Sequence, residues 1–215
     1  MRQHFTKFEL KARYFQLGEV SEQTKNLIFV IHGYGQQAKY FIQKFESLDN
    51  TKNCIVAPEG LNRFYLEGFS GRVGATWMTK EDRLTDIENY LTYLNKVYEE
   101  VIKDTDTGHL KVTVIGFSQG SATASRWVSN TPYNVHQLIL WAGIFPPDLD
   151  YQLAGDKFDN MDIKYVYGLK DPFLTEGRID EMNRISSKLQ VSPETITFDG
   201  EHIIDGPTLQ TIFKS

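Results

Sequence analysis

The sequence predicts an α/β layer fold: a mostly parallel central sheet with helices on both faces. Short, nearly continuous apolar runs rich in Val and Ile recur at residues 27–31, 54–57, 112–117, 138–142, 165–167 and 195–198. Strands buried on both faces read this way. Segments of helical period lie between the runs, and strands that alternate with helices build parallel sheets. The length, 215 residues, suits a single domain spanning 1–215, with a core large enough to need no disulfide or metal.

Each element has its own signal. Residues 5–17 differ from the other runs, because Phe8, Leu10 and Ala12 alternate with charged neighbours, as in a half-exposed antiparallel edge strand. Residues 82–103 place Leu84, Ile87, Leu91, Leu94, Tyr98 and Val101 on one helical face. Residues 118–130 follow a strand directly and stop before Pro132, a helix-ending signal. Ile179, Met182, Ile185 and Leu189 form the stripe of a helix over 176–189, and Pro207 opens the last helix from a favoured first position. Two segments fit no element, 60–79 and 145–162. Both are long for structureless connections and are expected to serve as lid or pocket loops.

Composition narrows the function. With 23 basic and 28 acidic residues the net charge is −5, so no basic stripe for nucleic acid and no polybasic lever for anionic membranes is expected. One cysteine, Cys54, allows neither an internal disulfide framework nor a Cys-cluster zinc site. The N-terminal residues mix charged and apolar side chains without the apolar core of a signal peptide. No stretch approaches the length of a membrane span. The expectation is a cytoplasmic protein, monomer or homodimer, with no membrane insertion.

The chemistry centres on Gly116-Phe117-Ser118-Gln119-Gly120. A Gly-x-Ser-x-Gly pattern arises by chance in roughly one chain in fifteen of this length, so context decides. A β-branched run precedes it and a helical segment follows, the strand–turn–helix of a nucleophile elbow. Gly68-Phe69-Ser70-Gly71 lacks both the last glycine and a preceding strand, which removes Ser70. A serine hydroxyl needs a base, and the base needs an orienting carboxylate. Of the five histidines (4, 32, 109, 136 and 202), His202 follows the last strand, where a parallel sheet presents loops at its carboxyl edge. Asp171 lies just past another strand, before Pro172; Asp148 and Asp150 are its rivals. An oxyanion needs two aligned donors. The backbone N–H of Gln119 supplies one, and the N–H of Tyr34, in His32-Gly33-Tyr34-Gly35 after an early strand, supplies the other. Trp77, Phe145 and Phe173 lie in or beside loops expected near the sheet's carboxyl edge and are candidates for the substrate pocket. Arg72 and Arg83 read first as solvated or paired arginines, and second as contacts for an acidic substrate group. Cys54 reads as inert core.

Together these pieces resemble the α/β-hydrolase superfamily and, within it, the phospholipase/carboxylesterase branch that includes acyl-protein thioesterases. The matching segments are Ile31-His32-Gly33-Tyr34-Gly35, Ala57-Pro58-Glu59-Gly60, Thr76-Trp77, Gly116 to Gly120, Trp141-Ala142-Gly143, Gly168 with Asp171-Pro172, and Glu201-His202. They occur in family order, from about residue 27 to 205. Two positions depart: Ser121 stands where the family has a second glycine, and Tyr167 stands where it has His. The resemblance implies a serine hydrolase acting on carboxylic esters or thioesters. The first reading is a small-molecule carboxylesterase that works through an acyl-enzyme, with Ser118, Asp171 and His202 as triad and no cofactor or metal. Thioesters or lysophospholipids would need the same machinery. A ligand-binding protein on a hydrolase scaffold is the reading from another class.

Overall fold

The computed structural model describes residues 1–103, 105 and 108–214. Seven strands form the main sheet: β1 (Tyr14–Leu17), β2 (Asn26–Ile31), β3 (Asn53–Pro58), β6 (Lys111–Phe117), β7 (Gln137–Trp141), β8 (Asp162–Gly168) and β9 (Glu194–Phe198). Their spatial order is β1-β3-β2-β6-β7-β8-β9. Only β1 runs antiparallel, against β3; every other pairing is parallel. The helices are α1 (Ala38–Phe41), continued by a 3-10 turn (Ile42–Leu48), then α2 (Arg83–Val101), α3 (Gln119–Asn130), α4 (Tyr151–Phe158), α5 (Glu176–Lys188) and α6 (Gly206–Lys214). Among the described residues no helix is long and apolar enough to cross a membrane.

The continuous apolar runs follow from two covered faces. Along β2, Leu27, Phe29 and Ile31 point into a core with Tyr90 and Leu94 of α2 and Trp127 of α3. Ile28 and Val30 point to the opposite core, against Phe41, Phe45, Leu209 and Ile212. A strand between two such layers has no face left for polar residues.

Three expectations need correction. The edge strand is shorter than residues 5–17. It begins at Tyr14, paired with Pro58, and Phe5, Phe8 and Leu10 are exposed. After one more contact, from the Glu59 N–H to the Arg13 carbonyl, the partner chain turns away at Gly60, so earlier residues have nothing to pair with. Residues 60–79 are not a structureless loop. They form an antiparallel hairpin, β4 (Asn62–Glu67) and β5 (Ser70–Thr76). Its turn contains Gly68, at φ +58°, a conformation glycine adopts without penalty. Most of its side chains face solvent, so no apolar run announces it. Residues 145–162 contain α4. Asp150 caps that helix, accepting the N–H groups of Gln152 and Leu153 at 3.1 Å each.

Candidate active site

Parallel strands deliver their loops to one edge, and the site is assembled there. Ser118 joins β6 to α3 with φ +54° and ψ −117°, so the helix begins one residue later than periodicity suggests. A non-glycine residue held at positive φ stores strain that the surroundings must enforce. They do so by close contact. A Cβ on Gly116 would lie 2.4 Å from the Gly120 carbonyl oxygen, and one on Gly120 would lie 2.1 Å from that of Ile31. Both flanking glycines are therefore steric requirements of the turn. Ser121 is fully buried and donates to the Gly116 carbonyl at 2.8 Å. Its hydroxyl sits where a Cβ on Gly143 would come within 2.4 Å, so a glycine opposite makes room for this serine.

Asp171 and His202 meet across the ends of β8 and β9. Gly168 permits this, since a Cβ there would lie 2.2 Å from the Gly200 carbonyl oxygen. The amides of Leu169 and Lys170 bond the carbonyls of Phe198 and Gly200, each at 2.9 Å, and lock the two loops together. His202 Nδ1 lies 2.7 Å from Asp171 Oδ2. The other oxygen, Oδ1, accepts the Phe173 N–H at 2.9 Å, which fixes the buried carboxylate in position. The imidazole packs against the rings of Phe117 and Phe173, both with centroids at 4.8 Å. Phe117 immediately precedes Ser118, so the histidine lies beside the elbow, and its Nε2 has no hydrogen-bond partner among the described residues.

The third component is the loop after β2. His32 is buried, with Nε2 accepting the Gly60 N–H at 2.9 Å and Nδ1 2.8 Å from the Gly33 carbonyl. The first contact makes Nδ1 the protonated nitrogen. Burial pushes its pKa down to about 4, so at neutral pH it is an uncharged bracket. Gly33 is pressed on the elbow: an added Cβ would lie 3.2 Å from Ser118 Cβ. The Gln119 side chain ties the elbow to the end of the hairpin. Its carbonyl oxygen accepts from Thr76 Oγ1 at 3.0 Å and the Trp77 N–H at 3.3 Å, while its amide donates to the Met78 carbonyl at 3.0 Å. Among the described residues, neither the Tyr34 nor the Gln119 backbone N–H has an acceptor.

The three aromatic pocket candidates separate. Phe173 is 68% exposed and edges His202. Trp77 is buried and donates its indole N–H to the His32 carbonyl at 2.9 Å, so it supports the loop from beneath. Phe145 is fully buried between Phe158 and Tyr165 and belongs to the core; a ring enclosed on all sides offers no face to a ligand. The rival carboxylates are occupied. Asp150 is a helix cap, and Asp148 pairs with Arg83 and Arg126, each at 2.6 Å. Burial alone would raise Asp148, but Arg126 and Arg83 outweigh it and hold the carboxyl below its ordinary value. Arg126 was not singled out in the sequence. It is buried, donates to Tyr90 Oη at 3.3 Å, and leaves Nε without a partner among the described residues. Cys54 is a free, buried thiol pushed up by burial to about 12.

The model of the family described as serine hydrolase (FSH1) matches residues 20–213. No curated protein matches the chain. Among solved structures, esterase PE8 is similar, with TM-score 0.72 and 18% identity over 95% of this chain and 99% of that one. Acyl-protein thioesterase 2 of Zea mays gives 0.71 at 14% identity, covering 95% and 97%. A phospholipase/carboxylesterase of Dyadobacter fermentans gives 0.67 at 17%, covering 97% and 98%. At these identities the likeness is one of fold: a mostly parallel sheet flanked by helices, as in the α/β-hydrolases.

Proposed function

This chain belongs to the FSH1 serine hydrolase family, and from that premise we propose that it hydrolyses carboxylic esters of small molecules at Ser118. The observation that carries the reading is the 2.7 Å contact between Asp171 and His202 beside the strained elbow serine. In this mechanism Ser118 Oγ attacks the acyl carbonyl and His202 Nε2 takes its proton. Asp171 holds the imidazole with its proton on Nδ1 and stabilises the imidazolium. The oxyanion of the tetrahedral intermediate accepts from the N–H groups of Tyr34 and Gln119, which lack other acceptors among the described residues. Collapse breaks the ester C–O bond, and the departing alkoxide takes the proton from His202. Water, deprotonated by the same nitrogen, then attacks the acyl-serine; the C–Oγ bond breaks, Ser118 Oγ takes the proton back from His202, and the acid leaves.

The fold likeness to esterases and to a plant acyl-protein thioesterase supports the reaction class. A matched oxoester and thioester pair measures which bond is preferred. A reducing cytoplasmic setting suits the single buried, free cysteine.

Wild type and Ser118→Ala treated with a fluorophosphonate and weighed intact test the proposal. A mass gain on wild type that the variant lacks supports it. Folded wild type that takes up no probe overturns it and favours a binding protein on a hydrolase scaffold.

A further inference from the structure

Beside the loop that carries Tyr34 lies a cavity of about 590 Å³ between the 3-10 turn and the hairpin. Tyr40, Leu66 and Val73 give it apolar walls, and its charged residues are both cations, Lys44 from the turn and Arg72 from β5. In a chain of net charge −5, a cavity whose described lining holds two cations and no carboxylate favours an anion. We propose that this cavity receives the acyl half of the substrate and that this acyl group ends in an anion. The inference rests on the ester-hydrolase reading above.

Position, direction and charge each support it. A Cβ added to Gly33 would lie 3.2 Å from that of Ser118, and Gly35, two residues on, lines the cavity. Two residues span at most about 7 Å, so the near wall is within reach of a medium-length acyl chain bound at Ser118. The strand order gives the direction. With β6 in the middle, β2 and β3, which lead into the loop and the hairpin, lie on one side, and β8 and β9, which carry Asp171 and His202, lie on the other. The leaving group must stay within proton reach of His202, which places it on the β8–β9 side and leaves the β2–β3 side to the oxyanion and the acyl half. The cations are also available. Arg72 meets Glu67 at 3.8 Å, with both side chains more than four-fifths exposed, and such pairs are weak. A carboxylate or a phosphate at the far end of an apolar stem would meet a cation on either wall.

The test measures kcat/KM on aryl half-esters of straight-chain dicarboxylic acids of graded length. Each is compared with the same ester whose far carboxylate is capped as a primary amide. A second series carries a terminal phosphate, and the ratio between the two series identifies the anion. At the fitting length, wild type should favour the anionic ester by about tenfold, and added salt should erode the preference. Lys44→Met and Arg72→Met should each cut the ratio about threefold, and the double variant should bring it near one. Lys44→Glu should favour the capped ester. Equal rates at every length, or a preference that survives in the double variant, overturn the subsite. So does a preference that appears only when the charge is moved to the leaving group. If capped esters are hydrolysed in a Ser118-dependent way without anion preference, the subsite falls and the hydrolase reading stands. If wild type turns over no ester, both fall.

Discussion

His32 and His202 both sit at the carboxyl edge of the sheet, and their surroundings differ in one respect. Both ring nitrogens of His32 contact backbone groups, a carbonyl and an amide. His202 contacts a carboxylate through Nδ1, and its Nε2 has no hydrogen-bond partner among the described residues. A neutral partner at each nitrogen, with full burial, removes a histidine from the working pH range. A buried carboxylate at one nitrogen instead orients the ring and fixes its tautomer. What surrounds a histidine, more than its place in the fold, therefore decides whether it can serve as a base.

The largest effect should come from removing the two rings in turn. His202→Gln should lower kcat by roughly 10⁴-fold or more with little change in Tm. His32→Gln should instead cost about 2 kcal/mol of stability, through two lost buried hydrogen bonds. Ester turnover and thermal melts of both variants check this, and the comparison breaks if the two exchange phenotypes. The carboxylates offer a parallel pair. Asp171→Asn should drop kcat by roughly 10⁴-fold by presenting the wrong tautomer, as in other triads. Asp148→Ala should strand the buried Arg126 guanidinium, costing about 3 kcal/mol in denaturant unfolding.

A pH series sharpens the contrast. The ordinary His32 value is 6.5, and burial lowers it to about 4 in the folded chain. Between these values the unfolded chain binds a proton that the folded chain excludes. The contribution to stability is thus complete above about 6.5 and is lost as pH falls towards 4, by about 3 kcal/mol in all. Denaturant midpoints across this range should fall in wild type and flatten in His32→Gln. The smallest effect should be Ser121→Ala, about 1 kcal/mol for one buried hydroxyl bond to Gly116, read as a shift in Tm.

The fold was legible because two covered faces leave a strand no polar side, and runs such as 27–31 record that directly. The elbow was legible because its geometry excludes side chains at Gly116 and Gly120. The order of Asp171 and His202 along the chain put them at adjacent strand ends, where they are hydrogen-bonded. The hairpin was not legible, because its solvated strands bury too little to leave a pattern. Phe145 misled for the opposite reason: proximity in sequence to a carboxyl-edge loop does not tell whether a ring turns outward or, as here, into the core between Phe158 and Tyr165. Arg126 gave no sign because its partner Asp148, 22 residues away in sequence, meets it only in the folded chain.

One contact of the hairpin has a kinetic side. The Gly35 N–H donates to the Ala75 carbonyl at 2.9 Å, and the Ala75 N–H donates to Gln36 at 3.0 Å. Gly74 lies so close that a Cβ there would sit 2.5 Å from the Gly35 carbonyl oxygen. The residue after Tyr34 is thereby stitched to a peripheral ribbon. The amides of Gly35 and Ala75 should exchange with deuterium as one unit, at the rate at which the ribbon detaches. Whenever it does, the loop that carries Tyr34 loses this anchor, so the opening frequency of a hairpin at the molecule's margin sets how much of the time that loop is held against the elbow.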